Sequence, residues 1–252
     1  MESKKAIRVI CTQQMACYAK PNSYLLKETY PLPPYSTVIG MVHAACGFKE
    51  YHPMKVSIQG TTSATTSDLY TRYSFSADKY EEGRHNIQIP SKDKVIGGIR
   101  GMAYNECVNE IRLVLHILPE KEEDLQTILE GLEFPKVFPA LGRRNDLVNI
   151  ESVELVTLKF SDDEVHATGV YADYVSYVPV EMLDDITPFG MTQPPATAYK
   201  LYKTYTLHPK SNRRQWTEVV RAKCLSNDSV FESVYVDTIN AETNESCLVF
   251  FA

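Results

Sequence analysis

The sequence lacks the surplus of basic residues expected of a protein that binds polyanions through its overall field. It carries 26 Lys+Arg against 32 Asp+Glu over 252 residues, a formal net charge of -6. Each phosphate contact gains affinity by releasing counterions, so a free-standing, sequence-indifferent nucleic-acid binder is excluded. No apolar run approaches the roughly 20 residues needed to span a bilayer. The opening MESKKAIRVI reads as a strand pattern, with no basic stretch leading into a long apolar run, so a soluble, cytoplasmic protein without membrane contact is expected. The six cysteines are scattered without a C-x-x-C pair, which removes the usual signs of a zinc site or disulfide framework. There is no G-x-S-x-G, Walker A or H-E-x-x-H pattern, so the hydrolase, NTPase and zinc-protease classes lack their minimal parts. No cofactor or metal is expected. No internal repeat or low-complexity tract stands out.

What is present is an ordinary globular composition, 44% hydrophobic and 23% charged, with ordered periodicities. Ile7, Val9 and Cys11 alternate with Arg8, as in a half-buried strand. Ser36 or Thr37 stands as N-cap to a helix carrying Val38, Ile39, Val42, Ala45 and Cys46, ended by Gly47. Val56 and Ile58 mark a second strand. Ile111, Leu113, Leu115 and Ile117, alternating with Arg112, Val114 and His116, mark a third. Pro119 and the acids Glu120, Glu122, Glu123 and Asp124 open a second helix with the stripe Leu125, Ile128, Leu129 and Leu132. A fourth strand fits between Ile150 and Leu158, after a loop from Phe134 to Asn149.

Strand, helix, strand, strand, helix, strand is the ferredoxin-like order, shared with RNA-recognition modules. The fold expected is therefore α+β, a ferredoxin-like domain over 1–158. Its second and third strands are separated by Thr61 to Asn109, far too long for a simple hairpin loop and read as a protruding β-hairpin arm. A β-rich lobe is expected over 159–252, with strand-like runs at Val165 to Val180, Thr197 to Leu207, Trp216 to Leu225, Val230 to Val236 and Cys247 to Phe251. A loop from Asp184 to Pro195 interrupts it. Acids gather in the second helix, six against Lys121 alone, and between Asp228 and Glu245. Bases gather in the arm, at Arg143 and Arg144, and between Lys200 and Lys223.

Three segments carry chemistry. In YPLPPYSTVIGMVHAACG, a proline-fixed approach feeds a helix whose N-terminal amides suit an anion, and Gly40 and Gly47, on one face together with His43, leave little side-chain bulk so that a backbone can approach closely. A well-capped core helix is the plain alternative. In FPALGRRNDLV, Gly142 permits a left-handed turn, and Arg143 with Arg144 presents two planar donors for phosphates or bases; the alternative is a loop in which one arginine pairs with Asp146. GGIRGMAY has the wrong glycine spacing for a dinucleotide fingerprint and reads as a hairpin tip or bulge offering Arg100.

Taken together, Pro33, Pro34, Ser36 and Gly40, the long insertion, and Pro139, Leu141, Gly142, Arg143, Arg144 and Asp146 resemble CRISPR-associated protein 5. This is the RAMP-superfamily subunit of type I Cascade surveillance complexes, and the tyrosine-rich composition is most similar to subtype I-B. The resemblance covers roughly the first 150 residues. It implies a non-catalytic subunit in antiviral defence that caps the 5′ handle of CRISPR RNA. Its partners would be the Cascade backbone subunit, the large subunit and, through the complex, target DNA. Tyr35, Ser36, Thr37, Gly40 and His43 would meet the handle, Gly142, Arg143 and Arg144 would hold its phosphates or bases, and Arg100 would belong to a thumb. A rival reading follows from the subtype I-C branch, which cuts precursor RNA; His43, Tyr35 and one of the two arginines would supply acid, base and charge without metal. A third is a β-rich protein-interaction module without RNA.

Overall fold

The computed structural model describes residues 3–21 and 26–252, so Met1 and Glu2, at the head of the expected strand pattern, lie outside the described residues. At its centre stand four antiparallel strands: β1 (Ser3–Ala16), β3 (Met54–Thr61), β6 (Val95–Pro119) and β7 (Asn149–Ser161), in the order β7-β1-β6-β3. The register sets Ile7 opposite both Ile117 and Leu155, and Val56 opposite Ile117. Helix α1 (Tyr35–Cys46) connects β1 to β3, apart from the two-residue β2 (Leu26–Lys27) that pairs with β6, and α2 (Glu123–Glu133) connects β6 to β7. Both helices lie over one face of the sheet. Val38 and Val42 of α1 and Ile128 and Leu132 of α2 share a core with Ile7, Val9, Cys11, Leu113, Leu115 and Ile117. The alternation in the strands and the 3.6-residue stripe in the helices meet there, as their periods require.

The opposite face is also covered, so β1 and the inner half of β6 are buried on both sides rather than half-buried. Ile10 and Val114 pack with Tyr171, Tyr174, Val178, Leu183, Phe231 and Phe250. The covering chain comes from beyond residue 161 and extends the same sheet at both sides. β8 (Val175–Pro179) pairs with β3, then β10 (Arg214–Ser226) and β9 (Ala198–Leu207) follow; β11 (Val234–Asn240) pairs with β7, and β12 (Glu245–Val249) closes that side. The stretch from Val165 is strand only from Val175; a 3-10 turn occupies Gly169–Asp173, and a second one at Val180–Met182 leads into the four-residue α3 (Leu183–Ile186). Arg8 and His116 point into the second core, where Nη1 of Arg8 and Nε2 of His116 each lie 2.9 Å from Oδ2 of Asp237 on β11. Cys247 lies beside them, its sulfur within 4.8 Å of the His116 and Asp237 ligand atoms. A guanidinium already on the carboxylate opposes a metal cation there, and the cluster is a buried ion-pair network.

Two helix starts differ from expectation. Pro34, not Ser36 or Thr37, is the N-cap of α1, and no side chain caps the helix. Its fixed φ of -68° sets the approach, and its carbonyl accepts the Thr37 amide at 2.9 Å. Pro119 ends β6 opposite Met54, and α2 begins at Glu123, leaving Glu123 and Asp124 as its first-turn acids. Gly47 ends α1 in the left-handed region as expected, with φ 67°.

The insertion is a β-ribbon built on β6 itself, which runs unbroken for 25 residues from the ribbon into the core. β4 (Ala64–Lys79) pairs along its outer half, from Ala64 opposite Asn109 to Phe75 opposite Gly98, and β5 (Ile87–Pro90) folds back on its start. Gly97, Gly98 and Gly101 are therefore strand residues, not a hairpin tip. A Cβ on Gly97 would stand 2.3 Å from the ring of His85, so the glycine makes room for that buried imidazole. Among the described residues no helix is long and apolar enough to cross a membrane.

Candidate nucleic-acid interface

Ser36, Gly40 and His43 recur at four- and three-residue spacing and so share one face of α1. They form one wall of a cleft of about 480 Å³ whose other wall is the β9–β10 hairpin, with Lys203, Tyr205 and Arg214. His43 is fully engaged within the chain. Its Nδ1 lies 2.8 Å from the Ile39 carbonyl and its Nε2 accepts the His52 amide at 3.0 Å, which fixes the neutral tautomer with the proton on Nδ1. Burial, with a smaller push from His52, lowers its pKa below the usual histidine value, against opposing contributions from the Ile39 carbonyl and Asp124. The ring stacks on Tyr51, centroids 5.6 Å apart. Tyr35 turns the other way, into the core: it is 0% exposed, its ring 6.2 Å from Tyr177, and burial pushes its phenol far up. It is a packing residue and presents no side-chain surface to a ligand. Thr37 is half-buried in the first turn.

The Gly142 loop is organised by Asp146. The carboxylate accepts the Cys17 amide at 3.0 Å and the Arg143 amide at 2.7 Å, and takes the Arg143 guanidinium through Nη2 at 2.8 Å and Nε at 3.0 Å. Gln13 adds bonds to the Leu141 and Asp146 carbonyls. Gly142 sits at φ 105°, and a Cβ there would stand 2.7 Å from Oδ2 of Asp146 and 2.9 Å from the Cys17 carbonyl. Only glycine fits both the conformation and the space. The two arginines divide the work: Arg143 is the one that pairs with Asp146, while Arg144 is exposed and has no partner among the described residues. Nη1 of Arg143 also reaches Asp68 of β4 at 4.0 Å, joining this loop to the base of the ribbon.

On the ribbon, directly opposed pairs share a face, so Leu69 with Tyr104, Thr71 with Met102 and Tyr73 with Arg100 lie on one side. Tyr73 stacks on Phe75 along it. That side is exposed and largely apolar, with Phe75 at 64% and Met102 at 66%. The Asn86 side chain bonds both the amide and the carbonyl of Arg100, at 2.6 and 2.7 Å, fixing its backbone while the side chain stays exposed.

Residues 7–196 match the model of a protein family described as CRISPR-associated protein (Cas_Cas5). The chain belongs to this family. The fold agrees: a solved chain titled "CRISPR RNA-guided surveillance complex" superposes with a TM-score of 0.51 at 15% identity, covering 88% of this chain and 90% of that one. A CRISPR protein from Archaeoglobus fulgidus gives 0.48 at 10% identity over 98% and 100% of the two chains. None of the curated proteins matches significantly.

The residues singled out from sequence thus divide into three places. Ser36, Gly40 and His43 line the α1 cleft; Gly142, Arg143 and Arg144 form the Asp146 loop; Arg100 stands on the ribbon. The Arg143–Asp68 contact links the second place to the third. Of the cleft's other cations and rings, Lys203 and Arg214 belong to the basic stretch noted in the sequence, while Lys49, Tyr51 and Tyr205 were not singled out. The hairpin's signal was the Lys200 to Lys223 stretch, in which bases alternate with tyrosines; reading it as a cleft that also takes in Lys49 and Tyr51 requires knowing that β9 folds against α1.

Proposed function

We propose that this member of the CRISPR-associated protein 5 family is a non-catalytic subunit of a type I RNA-guided surveillance complex, gripping the 5′ handle of CRISPR RNA. The carrying observation is the Asp146 loop. It holds Arg144 on a rigid turn, unpaired, beside the ribbon, where a guanidinium can meet a phosphate or base without being ordered first. The β7-β1-β6-β3 order with both helices on one face supports a ferredoxin-like domain over 1–158, with 61–109 as its thumb and 159–252 as a β-rich lobe. The exposed apolar face around Phe75 and Met102 suits a neighbouring backbone subunit, with Arg100 toward the guide; the large subunit and, through it, target DNA complete the partners. The engagement of both His43 nitrogens and the burial of Tyr35 favour a cap over a nuclease, because a general base needs a free lone pair at its substrate.

The test is one incubation of the full chain with precursor repeat RNA in chelator. The expected outcome is retained, uncleaved RNA, with retention weakened about tenfold in Arg144→Ala, the scale of a lost charge-assisted contact. RNA retention unaffected by that change removes Arg144 from the site, and cleavage that disappears in His43→Ala overturns the non-catalytic reading.

A further inference from the structure

The family match ends at residue 196, before the β9–β10 hairpin, and none of the motifs above uses that hairpin. Its outer part is unusually rich in exposed rings and cations. Trp216 stacks on Tyr202 with centroids 4.6 Å apart and meets Tyr205 edge-on at 5.5 Å; the Arg214 guanidinium lies 4.7 Å over the Tyr205 ring. Across the cleft, Tyr51 is held against His43 and is 52% exposed, while Tyr205 is 41% exposed. The lining charges are Lys49, Lys203 and Arg214 against Glu50. Glu218, which bonds the lining Thr204 and acts on Tyr51 across the cleft, pairs with Lys203 at 2.9 Å and leaves Lys49 and Arg214 as the cleft's open cations. On the α1 wall, Gly40 presents bare helix backbone: apart from its chain neighbours and its own helix backbone, no atom lies within 4 Å of where its Cβ would stand.

We propose that the β9–β10 hairpin and α1 form two jaws that hold a single-stranded nucleic-acid segment, with a base stacked on Tyr205 and the flanking phosphates at Arg214 and Lys49. This deepens the RNA-subunit reading and rests on it. Half-exposed rings beside cations are the recurrent platform for unpaired bases, whose π faces a duplex hides. The surplus of positive charge is local to the cleft, which is what a few nucleotides require of a chain that is acidic in total. Arg214 laid on Tyr205 orders the ring before the base arrives, and 41% of that residue stays exposed.

Trp216 is the sole tryptophan, so its emission reports on this jaw. The experiment titrates the full chain with a labelled single-stranded RNA copied from its own repeat, reading polarisation and Trp216 fluorescence together. Binding with a change in Trp216 emission is expected, and Tyr205→Ala combined with Arg214→Ala weakens it about tenfold or more, the scale of one lost base stack. Tyr205→Phe retains affinity, and Lys49→Ala, on the other jaw, also weakens binding, so the result does not hang on the hairpin variant's folding. If the wild type binds and both the hairpin variant and Lys49→Ala stay within about twofold of it, the two-jaw inference fails while the RNA-subunit reading stands. If the wild type binds no RNA, both fail. Equal affinity for the same sequence as a duplex, or displacement by a poly-glutamate peptide as effective as by unlabelled RNA, also overturns the stacking site.

Discussion

Asp146 offers its carboxylate to the amide of Cys17 just beyond β1, to the amide of Arg143 and to the Arg143 guanidinium, at 2.7–3.0 Å in each case, and is itself 2% exposed. Removing it strands a buried amide and leaves a largely buried cation without its counter-charge. The Asp146→Ala variant is therefore expected to lose about 3 kcal/mol, the lower end for breaking a buried pair because Arg143 keeps some solvent contact. Arg144→Ala should change stability by less than about 0.5 kcal/mol, as an exposed side chain without partners. Urea denaturation of the two variants measures both; equal losses would sink the division of labour between the arginines. The sequence offers Arg143 and Arg144 as equivalents. What separates them is a φ of 105° at Gly142 and a contact with Cys17, a residue 129 positions away from Asp146, and neither is a property of the local pattern.

At the level of elements, the central strands and both helices were legible because each obeys one period over a core that demands it. Their ends were less so. The break placed at Asn109 falls inside β6, which continues with the same alternation from the core into the ribbon; the passage is marked by Glu110, a non-glycine residue at φ 48°, and no composition signal announces it. Helix α1 holds a different lesson. Gly40 lies in the helix interior, where glycine costs roughly 0.5–1 kcal/mol relative to alanine, and no protein atom occupies the space its side chain would fill. The Gly40→Ala variant should accordingly gain about that much stability in chemical denaturation while losing affinity for single-stranded RNA. A gain in stability with RNA affinity intact would show that the bare backbone of α1 serves no ligand.

Taken as a whole molecule, the net charge of -6 is a poor guide because it averages an acidic second helix and C-terminal stretch with basic clusters on the ribbon, the Gly142 loop and β9–β10. The same long-range folding hides the second core from sequence reading: Arg8 looks like the solvent side of a strand until Asp237, 229 residues later, is placed against it at 2.9 Å. Burial alone would raise the Asp237 carboxyl, but His116 and Arg8 outweigh it and hold the group below its ordinary value of 3.8. A carboxylate held low in the folded state contributes stability that is present above the unfolded value and lost as pH falls through the folded one. Asp237→Asn should therefore cost about 3 kcal/mol at pH 7, the lower end for breaking a buried pair, because Arg8 keeps Glu154 at 2.7 Å as its other counter-charge. That gap should start to narrow below pH 3.8, where the unfolded carboxylate takes up a proton that the folded one still refuses, and should go on narrowing until pH has fallen through the folded value. Because β8 and β11 extend the sheet of β1, β3, β6 and β7, and Asp237 ties β11 to β1 and β6, far- and near-ultraviolet circular dichroism should report one transition at each pH. A gap between wild type and Asp237→Asn that is unchanged by acid would refute the linkage, and two separated transitions would show that the residues beyond 161 unfold apart from the sheet they cover.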